Sequence, residues 1–163
     1  MTSISMTLPS AYYQPFHQSP SYTLIPQGPP IREPGMPKGK DETLLAEARQ
    51  QTYDLQFLAP GWNGYDAVPP TASAVDQAMR WLVSSYAECK DAHVHWYKPN
   101  VTASSEGEVV FWWVAQDRSL SVYIDEEGAS FHKSFSGDGP TQHVHGEAPL
   151  GKGQADLMRW FGE

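Results

Sequence analysis

Cysteine is almost absent from this chain of 163 residues: Cys89 is the only one. A single cysteine excludes a disulfide framework and a thiolate zinc cluster. It stands at the end of a predicted helix without the histidine and asparagine context of a nucleophile, so an ordinary reduced thiol is expected. Long apolar runs are also missing. None reaches the roughly 18 residues a membrane helix needs. The N-terminus has no basic segment followed by an apolar block, so no secretory signal is expected and the cytoplasm is the expected location. Basic residues are few: 11 Lys and Arg stand against 19 Asp and Glu, a formal charge of -8. Such a chain is repelled by phosphate backbones, which argues against nucleic-acid partners. Charged residues are only 18% of the total, too few for a mimic of nucleic acid.

The apolar share is 40%, enough to fill one core, and the length suits one domain. Proline is concentrated instead of scarce. Eight of the 14 prolines fall in the first forty residues: Pro9, Pro15, Pro20, Pro26, Pro29, Pro30, Pro34 and Pro37. No helix or central strand tolerates that density. Residues 1–40 are therefore read as an extended or disordered arm and 41–163 as one α+β domain. The arm carries Arg32, Lys38 and Lys40 against Glu33, a balance of +2, which leaves the rest at -10. It also holds Tyr12, Tyr13, Phe16, Tyr22, Leu24 and Ile25. Aromatic residues on a polyproline-like segment suit a partner groove better than a bare spacer.

A first helix is expected from an N-cap at Asp41, with Leu44, Leu45, Ala48, Thr52, Leu55 and Leu58 as its apolar stripe, ending at Pro60-Gly61. Thr71 or Ser73 caps a second helix running to about Cys89. Its expected stripe is Ala74, Val75, Ala78, Met79, Leu82 and Tyr86, with Trp81 near the edge. Short strands follow. His93–Tyr97 and Val101–Ser104 flank Pro99 and read as an interrupted edge strand. Glu108–Val114 is apolar on both faces and reads as the central strand. Leu120, Val122 and Ile124 alternate with Ser119, Ser121 and Tyr123, and Ala129–Phe135 completes a meander. Residues 137–152 read as loop and 154–161 as a short C-terminal helix. The expected fold is α+β: two N-terminal helices packed on an antiparallel meander of three to five strands.

Candidate chemistry is sparse. On a strand, His93-Val94-His95 and His143-Val144-His145 would each offer two imidazoles on one side, though the second pair falls in the segment read as loop; four converging imidazoles would hold zinc or another divalent metal. Exposed strand histidines are the competing reading. Serine or threonine is missing at the third position of both pairs, which excludes the paired-histidine phosphoesterase pattern. Neither a G-x-S-x-G elbow nor a phosphate-binding G-x-x-x-x-G-K loop occurs. Asp125, Glu126 and Glu127 read as solvated turn acids. The loop Gly61-Trp62-Asn63-Gly64-Tyr65 joins a turn signal to two large aromatics. Trp62 and Tyr65 either plug the core or form a presented hot spot.

Those residues carry a resemblance. Gly61 to Tyr65, Pro69-Pro70, Ala74 and Ala78, Pro99-Asn100-Val101, Gly107-Glu108-Val109, Trp112-Trp113, Leu120 to Ile124 and Glu127-Gly128 follow one another. In that order they resemble a family of small bacterial, phage-associated proteins of uncharacterised function, over residues 44–135. The resemblance implies a structural framework and brings no catalytic residue. The favoured function is a non-enzymatic protein-binding or inhibitory factor, antitoxin-like or phage anti-defence-like. Its partner would offer a basic surface or a groove for the arm, without cofactor or membrane. Two alternatives stay open: a metal-dependent enzyme or metal sensor built on the histidine pairs, and a structural component of a phage or secretion assembly, with homo-oligomers allowed.

Overall fold

The computed structural model describes residues 39–137 and 139–163. The chain divides into two units, Met1–Gly35 and Met36–Glu163, and the description below concerns the second. The arm residues Tyr12, Tyr13, Phe16, Tyr22, Leu24 and Ile25 lie outside the described residues.

Helix α1 spans Lys40–Asp54. It starts one residue before the expected cap, because the Gly39 carbonyl accepts from Glu42 N and Thr43 N at 3.0 and 3.3 Å. Asp41 and Glu42 thus occupy the first turn, where carboxylates favour the helix dipole. The helix buries Ala48 and Thr52, and the Thr52 hydroxyl donates to Ala48 O at 2.8 Å. A single 3-10 turn over Leu55–Phe57 follows. Helix α2 spans Ala72–Asp91, and the Thr71 hydroxyl accepts from Ala74 N at 3.1 Å, satisfying a donor of the first turn.

The buried stripe of α2 is Ala74, Val75, Ala78, Trp81, Leu82, Ser85 and Cys89. Trp81 is therefore core, not edge. Met79 and Tyr86, expected inside, are only half-buried, because the buried face turns toward Trp81. Trp81 earns its burial twice over. Its ring lies 5.8 Å from that of Phe111, and its Nε1 donates to Ala148 O at 2.9 Å.

Five strands form one antiparallel sheet in sequence order: β1 (Asn100–Ala103), β2 (Val109–Val114), β3 (Arg118–Ile124), β4 (Ala129–Phe135) and β5 (Gln142–Glu147). Helix α3 (Gln154–Gly162) closes the described chain. The fold is α+β, with the helices on one face of the sheet. That face is apolar: Val109, Phe111 and Trp113 from β2 and Leu120, Val122 and Ile124 from β3 join Trp81, Leu82, Leu157 and Met158 in one core. Strand β2, apolar on both faces, is an interior strand paired with both β1 and β3, and β3 is the middle of the five.

Two further expectations are corrected. The segment His93–Tyr97 is not a strand. It leaves the end of α2 through Val94 N to Cys89 O at 2.8 Å, with His93 at φ 54°. Trp96 is buried there, edge-on to Tyr86 at 5.5 Å. Conversely, residues 137–152 are not all loop, because β5 pairs with β4 along six residues. At Gly146 a β-carbon would lie 2.7 Å from two ring atoms of Phe131, its register partner, so glycine lets the ring close over the strand. Among the described residues no helix is long and apolar enough to cross a membrane.

Candidate functional site

Two surfaces gather chemistry, one in each layer. The first is a groove of about 910 Å³ between α1 and α2, walled by Arg49, Tyr53, Met79, Arg80, Val83 and Leu150. Its lining is mostly apolar. Tyr53, Val83 and Leu150 are 49%, 42% and 44% exposed. Phe57, 70% exposed, meets Tyr53 edge-on at 5.6 Å and extends the apolar strip past the end of α1. Large side chains left half in water along one trench are a feature of binding grooves. Arg80 is matched by Asp76 at 3.2 Å, one turn away on α2. The sequence reading missed this groove because it placed Met79 in the core stripe. The available signal was the second apolar row on α2, Met79 and Val83, on the side away from Trp81.

The second surface is the sheet face without a helix among the described residues. Strand alternation and register place Trp112 and Val114, Ser119, Ser121 and Tyr123, Ser130, His132 and Ser134, then His143, His145 and Glu147 together on it. Trp112 is 38% exposed there, while Trp113 is buried, as adjacent strand positions require. The Ser119 and Ser134 hydroxyls meet at 2.7 Å across β3 and β4.

Three histidines cluster at the β4–β5 edge. His132 lies directly opposite His145, with parallel rings 4.4 Å apart. Its Nε2 is 3.1 Å from His143 Nδ1, and those two rings are tilted by only 20° with centroids 5.3 Å apart. The nitrogens therefore face each other nearly along the line of ring centres, the arrangement of an N–H···N hydrogen bond. Desolvation first, then the charges on His145 and His143, hold His132 below the usual imidazole range.

The first histidine pair is elsewhere. His93 and His95 precede β1, the strand at the opposite edge from β5, across four inter-strand spacings of about 19 Å in total. His95 packs edge-on against Tyr97 at 4.4 Å, and Tyr97 against Phe161 of α3 at 5.2 Å, on the helix side. The convergence of His93, His95, His143 and His145 that the metal alternative requires is not formed. Among the described residues no three His, Cys, Asp or Glu side chains are placed to cage a metal ion. His132 was missed because β5 was read as loop. The alternation that sends Phe131 and Phe135 inward already sends His132 outward.

The Gly61–Tyr65 loop is pinned by Gly61 N to Ala67 O and Gly64 N to Gly61 O, both 2.8 Å, and by Tyr65 N to Asn63 Oδ1 at 2.9 Å. Its two aromatics divide. Trp62 is half-buried, and its Nε1 is buried without a partner among the described residues. Tyr65 is 83% exposed and does not plug the core. The acids at Asp125–Glu127 form a turn in which Asp125 Oδ1 accepts from Glu127 N and Gly128 N, each at 2.8 Å. No family model, curated protein or solved structure matches the chain.

Proposed function

We propose that this chain is a protein-binding factor of inhibitory type, which takes an apolar segment of a basic partner into the α1–α2 groove. The observation that carries the reading is the half-exposed apolar trench of Tyr53, Met79, Val83 and Leu150. A groove of this kind suits the apolar face of a partner helix or loop. The balance of -10 outside the arm favours a partner of opposite sign and speeds its approach at low salt. The aromatic arm, with Tyr12, Tyr13, Phe16, Tyr22, Leu24 and Ile25, supplies a second place for the partner to be held, and the exposed Tyr65 a third. An antitoxin-like or anti-defence role fits these features and the family resemblance.

The test is capture of a partner from the native host by the full chain, then direct titration of that partner with three proteins: the full chain, Val83→Glu, and the chain lacking residues 1–38. Val83 is 42% exposed, so glutamate is accommodated without unfolding the helix. Loss of affinity in Val83→Glu of roughly tenfold or more, with an unchanged circular dichroism spectrum, supports the groove. Affinity equal to the parent protein in Val83→Glu sinks it, and a loss confined to the truncated chain moves the site to the arm.

A further inference from the structure

The histidine cluster at the β4–β5 edge lies outside the groove and has no part in that function. His132 and His143 bring two imidazole nitrogens to 3.1 Å on an exposed sheet face. Two imidazoles bound to one tetrahedral zinc ion, each about 2.1 Å from it, hold their nitrogens about 3.4 Å apart. The pair is thus already near the separation a shared ion requires. The change needed is angular. Each ring must turn about its last side-chain torsion so that the nitrogens converge on a point above the sheet instead of facing head-on. The sp² torsion of histidine is soft, so the cost of that turn is set by the His132–His145 stack and the His132–His143 bond that it gives up.

We propose that His132 Nε2 and His143 Nδ1 form a two-imidazole site for a divalent transition ion of borderline softness, with water completing the coordination sphere. Imidazole donors suit zinc, nickel and copper ions and reject calcium and magnesium, which prefer oxygen. The register supports the geometry. His132 stands opposite His145, and His143 stands opposite Ser134, so the two donors are diagonal neighbours across the two strands. His145 stacks on His132 at 4.4 Å and fixes the plane from which that ring turns. One of the two facing nitrogens now carries the proton of this hydrogen bond; as the ion enters, that ring shifts to its other tautomer, losing a proton to water at the facing nitrogen and taking one up at its other nitrogen, so both rings stay neutral and no net proton is released.

The experiment is calorimetric titration of the full chain with zinc chloride, repeated with nickel chloride, on the parent protein and on His132→Ala, His143→Ala and His93→Ala. All three positions are at the surface or half-exposed, and circular dichroism checks that each variant folds. The expected result is one saturable site, weakened about tenfold or more in His132→Ala and in His143→Ala and unchanged in His93→Ala. In nitrogen-15 spectra the Nε2 of His132 and the Nδ1 of His143 shift on adding zinc. Absence of saturable binding overturns the proposal. So does binding that survives both the His132 and the His143 substitutions, or a loss in His93→Ala equal to theirs.

Discussion

Replacing Trp81 by phenylalanine separates the two things this side chain does. It is 1% exposed, and its Nε1 is the donor to Ala148 O at 2.9 Å. Phenylalanine places its ring where the inner, five-membered part of the indole lies, and removes the N–H and the outer part of the benzo ring. The carbonyl of Ala148, itself 2% exposed, is then left buried without that donor. An unsatisfied buried acceptor costs about 1–3 kcal/mol. The lost indole atoms leave a void that adds roughly 1 kcal/mol. The expected destabilisation is therefore about 2–4 kcal/mol, a fall in Tm of roughly 10 °C for a domain of this size. Urea unfolding followed by far-ultraviolet circular dichroism measures it, with Trp112→Phe on the open face as the control, expected to change stability by less than about 0.5 kcal/mol. A Trp81→Phe loss below about 1 kcal/mol, or one no larger than that of Trp112→Phe, would refute the claim that α2 and the end of β5 are tied through this bond.

Two more outcomes follow from the packing. Cys89 is buried, and burial first, then Glu88, pushes its thiol from 9.0 up to about 11. It should resist a disulfide reagent in the folded protein at pH 8 and react with one equivalent after urea unfolding; because the thiol is harder to ionise in the fold, its contribution to stability is present below pH 9 and is lost as pH rises toward 11. Gly146→Ala places a methyl 2.7 Å from the Phe131 ring, so the ring or β5 must move, and a loss of roughly 1–3 kcal/mol is expected in thermal melts; an unchanged melt would mean that β5 is not seated on Phe131.

The parts of the fold legible in the sequence are those where burial writes a period. Leu120, Val122 and Ile124 alternate with polar residues, and all three are fully buried on the helix side. The α2 cap at Thr71 was legible because a hydroxyl there has a local physical task. Strand β5 was not legible, because Gln142 to Glu147 is an exposed edge whose single apolar side chain, Val144, is half in water. Its strand character comes from pairing with β4, a long-range property without a local pattern. The opposite error at His93–Tyr97 has the same root. His-Val-His-Trp alternates well, yet the segment is held by the end of α2 and by Trp96, not by a neighbouring strand. The first histidine pair was read as strand and the second as loop, each in the wrong backbone state, so the meeting that a four-imidazole site requires had no footing in the fold. The groove was hidden differently: periodicity reports that a helix has an apolar side, and not how wide the buried part of it is.

The groove and the histidine cluster stand in different layers, yet one short segment joins them. His143 and His145 lie on β5, Ala148 follows it, and Leu150 forms part of the groove wall. Movement at the hairpin would pass along this segment if it were loose. It is tied at Ala148 on both sides, by Ala148 N to Ala129 O at 2.8 Å and by Trp81 Nε1 to Ala148 O at 2.9 Å. The first bond continues the sheet ladder and the second reaches α2, which two residues on places Val83 in the groove wall. A backbone unit held at both its N–H and its C=O within the core transmits little, because displacing it breaks two buried hydrogen bonds at once. The two surfaces are therefore independent so long as Trp81 is intact. Substitutions at His132 and Val83 share no partner and act additively, and only loss of the Trp81 donor, which frees one side of Ala148, links them.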